Sequence, residues 1–183
     1  KRPLPAFPSR LGVITSPSGA AIRDVLKVLR RRAPQLAVTI FPVRVQGSGA
    51  AEEILEALQI AAQRADCDVI LLTRGGGSIE DLAAFNDERL ARTIAAVDIP
   101  VVSAVGHYID FAITYFVADR RAPTPSAAAE LICPDTAALN LTISGQQNRF
   151  YQAMSRRLQS DRRELHRLDG RLLRCSPHSR LRQ

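Results

Sequence analysis

The chain reads as an α/β fold, a three-layer, mostly parallel sheet with helices on both faces, followed by a long helical coiled-coil arm. Three observations carry this. Short, nearly unbroken apolar runs alternate with stretches of helical periodicity. A polar loop follows each apolar run. Beyond residue 136 the pattern becomes an Arg-rich heptad. Strands covered on both faces lose the in–out alternation of a half-exposed sheet, so unbroken apolar runs between helices indicate parallel strands.

The first predicted strand is 11–15. The loop Thr15-Ser16-Pro17-Ser18-Gly19 leads from it into a helix over 20–32. A second strand, 38–45, precedes Gln46-Gly47-Ser48-Gly49 and a helix over 50–64. The third strand, 69–73, ends at Arg74-Gly75-Gly76-Gly77-Ser78, and a helix spans 87–96. The fourth, 101–105, ends at Gly106-His107. Thr124-Pro125 marks a further helix start, with threonine as N-cap and proline at the first helical position. In parallel sheets ligands bind beyond the carboxyl ends of the strands. Four polar loops at one edge are therefore a stronger signal than any one of them.

From residue 135 onward, Tyr151, Met154, Leu158, Leu165, Leu168, Leu172 and Cys175 form a heptad register that only Asp161 interrupts. Such a helix is marginal in water and calls for a partner. The expected domains are a core over 1–136, the arm over 137–176 and a tail over 177–183.

The net charge of +7 comes entirely from residues 149–183, which hold ten arginines against Asp161, Glu164 and Asp169. Arginines so placed can neutralise phosphates or form a solvated helix face. No run of about eighteen apolar residues exists to span a membrane. Three single cysteines, without metal-ligand spacing or a secretory leader, fit a cytoplasmic location. The chain begins at Lys1 rather than Met and reads as a piece of something longer.

The segment around Gly75-Gly76-Gly77 is the most informative. An apolar strand ends in Arg74, and Ser78 stands as N-cap with Asp81 three residues on, opening a helix. Glycine amides, a helix start and a guanidinium fork together describe an anion site, with phosphate as the expected group. Arg74–Ser78 is neither a Walker sequence nor GxGxxG.

His107 has Asp110 three residues on, a spacing that suits an imidazole oriented by a carboxylate or a simple capping pair. Asp24 falls within the first helix, at the same edge. Ser16 and Ser18 are candidate phosphate donors or turn formers. Ser103 sits inside a strand, outside any GxSxG elbow. Arg120 and Arg121 add cations near the same edge. Glu80 and Asp81 are better placed to complement a helix dipole than to bind metal.

Four stretches carry a family likeness. They are Gly12-Val13-Ile14-Thr15-Ser16-Pro17-Ser18-Gly19-Ala20-Ala21-Ile22-Arg23-Asp24, Arg74-Gly75-Gly76-Gly77-Ser78-Ile79-Glu80-Asp81-Leu82, Val102-Ser103-Ala104-Val105-Gly106-His107, and Val117-Ala118-Asp119-Arg120-Arg121-Ala122-Pro123-Thr124-Pro125-Ser126-Ala127-Ala128-Ala129-Glu130. Together they resemble the large subunit of bacterial exonuclease VII, over roughly residues 1–135 and in order. The basic heptad helix that follows fits that family's C-terminal coiled coil. Tyr108 and Tyr115 stand where the family usually carries acids, and Ala83-Ala84 where it usually carries Trp.

The resemblance implies an exodeoxyribonuclease that degrades single-stranded DNA from both ends to short oligonucleotides and 5′-phosphomononucleotides. It implies an upstream OB-fold domain and copies of a small helical subunit along the arm, with self-association through the arm as a further expectation. No cofactor is strictly required, with Mg2+ admissible. It carries over four active-site positions: Asp24, Arg74, His107 and Asp110. Gly75, Gly76, Gly77, Ser78, Ser16, Ser18, Arg120 and Arg121 are the expected phosphate-binding set, with no metal ligands. The alternatives are a catalytically impaired single-stranded DNA-binding module of the same complex, or an enzyme acting on a small phosphorylated metabolite.

Overall fold

The computed structural model describes residues 1–75, 79–106 and 112–175. Five strands form one sheet: β1 (Arg10–Thr15), β2 (Ala37–Pro42), β3 (Val69–Thr73), β4 (Val101–Ala104) and β5 (Arg120–Arg121). Their order is β2-β1-β3-β4-β5, and every pairing is parallel. The chain steps from β1 to β2 on one side, then returns across β1 to β3 on the other. The sheet's topological switch point therefore lies between β1 and β3, and a crevice opens there beyond the strand ends.

Helices α1 (Ala20–Arg32) and α5 (Pro125–Ile132) cover one face of the sheet. Ile22, Val25 and Leu29 pack there with Ala128, Ala129 and Ile132 against Leu11, Val13, Val69, Leu71 and Val102 of the strands. Helices α2 (Ala50–Arg64) and α3 (Glu88–Ala96), with a 3-10 helix over Ile79–Asn86, cover the other face. There Ile54, Leu58, Phe85, Leu90 and Ile94 meet Ile14, Ile70, Leu72 and Val101. Leu71 and Leu72 thus serve opposite layers, which is why β3 is buried along its whole length and reads as an unbroken apolar run. Helix α4 (Ile113–Val117) is a short turn leading to β5.

The expected α/β class and parallel sheet are what the structure has. Its departures are local. Strand β2 stops at Pro42, which has no N–H to donate. The segment after Ser78 forms a 3-10 helix, and Asp87 then caps α3 by accepting from the Arg89 and Leu90 N–H groups. Strand β5 carries only two arginines, so no apolar run announced it; register with Val102 and Ser103 of β4 defines it. Thr124 caps α5 as expected, accepting from the Ala127 N–H at 3.1 Å. Cys67 and Cys133 are buried, and burial pushes the Cys67 thiol up to about 11.

The described residues divide into two compact units, 1–136 and 137–175. All but the first residue of α6 (Thr136–Cys175), a helix of 40 residues and roughly 60 Å, belong to the second. Tyr151, Met154, Leu158, Leu165, Leu168 and Leu172 of its heptad register are all exposed. Among the described residues, no helix is long and apolar enough to cross a membrane.

Candidate nucleic-acid site

A cleft of about 480 Å³ opens at the switch point. Thr15, Ser16, Gly19, Ala20 and Ala21 line it from the β1–α1 connection, Arg44, Val45 and Gln46 from beyond β2, and Arg74 and Gly75 from the end of β3. Three of the four polar loops expected at this edge therefore meet in one place.

Arg74 is 4% exposed, an unusual burial for a guanidinium. Its backbone N–H donates to the Ala104 carbonyl at 3.4 Å, and its Nε donates to the Gly75 carbonyl at 3.0 Å. The first contact ties the end of β3 to the end of β4, so Gly106, just before His107, lies at the same edge. A Cβ built on Gly75 would lie 4.0 Å from the Ala21 amide nitrogen, an ordinary contact. Gly75 therefore faces the first turn of α1 without being squeezed against it.

That first turn is suited to an anion. Gly19 is its N-cap, no side chain caps it, and it holds no acid. The N–H groups of an uncapped first turn carry partial positive charge toward whatever lies in front of them. Helix α2 differs, because Glu52 and Glu53 occupy its first turn.

The predicted site residues divide accordingly. Arg74, Gly75 and Ser16 line the cleft. Ser18 is exposed and contributes its carbonyl, which accepts from the Arg23 guanidinium at 3.3 Å. Asp24 is exposed one turn beyond Ala20 and Ala21, on the helical face that continues from them. Helical side chains lean toward the N-terminus, so its carboxylate leans toward the cleft without lining it. Arg120 and Arg121 lie on β5, two strands and roughly 10 Å from β3. The Arg121 guanidinium stands 4.2 Å over the Tyr115 ring. Gly76, Gly77, Ser78, His107 and Asp110 lie outside the described residues, as does Tyr108. Ser103 is fully buried in β4.

Tyr115 is buried, and its hydroxyl donates to the Gly106 carbonyl at 2.8 Å while accepting from the Gly106 N–H. The aromatic ring thus fixes the turn that precedes His107.

Arg44 and Thr15 were not among the predicted site residues. Arg44 follows a strand and precedes a glycine-bearing loop, the same arrangement that singles out Arg74, and that signal could have found it. Its Nε donates to Glu53 Oε1 at 2.5 Å and its backbone N–H to Glu53 Oε2 at 2.7 Å. These contacts, the backbone N–H first, hold the Glu53 carboxyl below the usual carboxylate range. Among the described residues, no three His, Cys, Asp or Glu side chains converge on a metal-sized site.

Fold and cleft together define a doubly wound α/β domain with a cationic crevice at its switch point. The chain belongs to the exonuclease VII large-subunit family: the family model described as "Exonuclease VII, large subunit" matches residues 1–183. It is 54% identical over 160 residues to the exodeoxyribonuclease 7 large subunit of Alcanivorax borkumensis, covering 87% of this chain and 36% of that one. It is 53% identical to that of Yersinia enterocolitica, covering 99% of this chain and 40% of that one. With that of Pseudomonas entomophila the figures are 52%, 100% and 39%. The chain therefore spans about two fifths of the length of these curated relatives.

Proposed function

We propose that this chain carries the hydrolytic centre of an exodeoxyribonuclease that degrades single-stranded DNA from both ends, in the cytoplasm, to short oligonucleotides and 5′-phosphomononucleotides. The observation that carries this reading is the buried Arg74 in the switch-point cleft, beside Gly75, which faces the uncapped first turn of α1. The names of the relatives support the same activity.

In this mechanism Arg74 and the Gly75–Gly76–Gly77 amides bind the scissile phosphate and stabilise the charge that grows on it in the transition state. Water attacks phosphorus and the P–O3′ bond breaks, leaving the phosphate on the 5′ oxygen. Asp24 orients or deprotonates the water. His107, oriented by Asp110, moves the second proton at the leaving 3′ oxygen. No step requires a metal, and Mg2+ is optional. Ser16, Ser18, Ser78, Arg120 and Arg121 contribute to holding the strand.

The arm binds small helical subunits along its exposed apolar seam, and the arginines beside the seam favour an acidic partner. Leu158→Glu should abolish that capture in a pull-down with the small subunit.

The activity is tested on a labelled single-stranded oligonucleotide, with and without EDTA. Arg74→Ala and His107→Ala should each lower kcat at least about 100-fold, the scale of losing a preorganised transition-state donor. Undiminished cleavage by either variant overturns the mechanism. Binding without cleavage by the unsubstituted complex, in both conditions, overturns the enzymatic reading.

A further inference from the structure

Beside the Arg74 end of the cleft, β1 and β2 assemble a second group of atoms suited to an anion. Backbone pairing sets it up. Thr15 pairs with Pro42, and the Val43 N–H donates to the Thr15 carbonyl at 3.1 Å, which brings Arg44, two residues beyond Pro42, to the same cleft as Thr15.

Thr15 is 1% exposed and lines the cleft, and its Oγ1 has no hydrogen-bond partner among the described residues. A buried hydroxyl without a partner is costly and calls for a reason. The residue lines the cleft while the hydroxyl itself is closed to solvent, so a ligand oxygen accepts from it once the side chain turns toward the opening.

Arg44 adds the charge. Its side chain is 64% exposed yet anchored, because Glu53 takes Nε and the backbone N–H of the same residue. Among the described residues its terminal nitrogens make no hydrogen bond. A guanidinium docked through Nε keeps a two-pronged edge for phosphate oxygens and has already lost much of its rotamer freedom. Gly49 reinforces this placement. It adopts φ +84°, and a Cβ there would come within 3.3 Å of Arg44 Nη2.

We propose that Thr15 and Arg44 form a second phosphate subsite, which holds the phosphate of a nucleic-acid strand adjacent to the one at Arg74. The proposal rests on the nuclease reading of the cleft and deepens it. It makes the preferred substrate a polymer with at least two phosphates, since a single diester leaves this subsite empty.

The test uses the assembled complex and measures binding of labelled oligothymidylate by fluorescence anisotropy across a salt series. Arg44→Ala should weaken binding about tenfold, the scale of one charge-assisted hydrogen bond. It should also lower the magnitude of the slope of log K against log salt by about 0.7, the value of one single-strand phosphate contact. Thr15→Val, nearly isosteric, should weaken binding about threefold, the scale of one neutral hydrogen bond. Arg10→Ala, at the opposite end of the strands, should leave the slope unchanged. A dinucleotide with one diester should bind equally well to Arg44→Ala and to the unsubstituted protein.

Unchanged oligonucleotide affinity and slope in Arg44→Ala overturn the subsite. An equal loss on the dinucleotide also overturns it, because Arg44 would then serve the scissile phosphate. Binding does not depend on cleavage, so these results stand apart from the Arg74→Ala assay, whose failure would remove the nuclease reading itself.

Discussion

The two ends of the sheet differ in how they treat charge. At the amino end the polar groups close on one another. Asp68 accepts from the Ser9 and Arg10 N–H groups at 2.7 and 2.8 Å. Asp66 pairs with Arg64 at 2.8 Å and Arg10 at 3.5 Å. Asp119 accepts from the Arg2 and Val101 N–H groups and lies 3.6 Å from the Arg2 guanidinium. At the carboxyl end some groups are paired, as Thr73 Oγ1 is with the Ala104 carbonyl and Arg44 Nε with Glu53, but among the described residues others have no partner: the Thr15 hydroxyl, the terminal nitrogens of Arg44 and the uncapped first turn of α1. Folding satisfies the amino end from within the chain. The carboxyl end, the open one, keeps donors at the cleft that an anion can take.

The comparison predicts opposite phenotypes at the two ends. Substitution at the open end removes activity, with Arg74→Ala costing at least about 100-fold in kcat. Substitution at the closed end removes stability. Asp119→Ala leaves the Val101 and Arg2 N–H groups without their acceptor and should cost about 2 kcal/mol by urea denaturation. Cleavage per folded molecule should stay unchanged. A large loss of kcat in folded Asp119→Ala would erase the distinction between the ends.

Tyr115 sharpens the comparison because it sits in the core yet holds the turn at the open end. Tyr115→Phe keeps the ring and removes both contacts to Gly106. It should cost about 1 kcal/mol of stability. It should also lower kcat several-fold while leaving KM unchanged, since it acts on the turn before His107 and not on the strand-binding groups. Equal kcat for the two proteins would make Tyr115 a packing residue alone.

Much of this was legible in the sequence, and physics explains the rest. Strands such as β3 declared themselves because burial on both faces demands an unbroken apolar run. Strand β5 did not, because two arginines paired to β4 carry no hydropathy signal. Arg74 stood out through its glycines and position after a strand. Thr15 could not, since whether a hydroxyl has a partner depends on neighbours from distant segments. Arg44 carries the same signal as Arg74, a cation between a strand and a glycine-bearing loop, but its anchoring was hidden, because Glu53 reaches it from the first turn of α2. The sequence pointed to the helix start after Gly77 as the anion site, and Gly76, Gly77 and Ser78 lie outside the described residues; the uncapped first turn of α1 at the cleft is a second helix start that the sequence did not single out.

Acid distinguishes the ends with the smallest effect. The Asp66 carboxyl is held below its ordinary value, first by the hydrogen bond from Arg64. A carboxyl whose folded pKa lies below its unfolded one contributes in full above the unfolded value, and that contribution fades as pH falls through the folded one. Asp66 therefore stabilises the closed end at neutral pH and stops doing so below the ordinary carboxylate range. Glu53 is shifted the same way, but its protonation loosens the anchor of Arg44 at the open end. Urea melts of the unsubstituted protein and Asp66→Asn should differ at about pH 7, and the difference should shrink as pH falls below the ordinary carboxylate range. Glu53→Gln should instead weaken oligonucleotide binding at neutral pH with little change in the melt. If Asp66→Asn altered binding while Glu53→Gln altered only stability, the assignment of closed and open ends would be reversed.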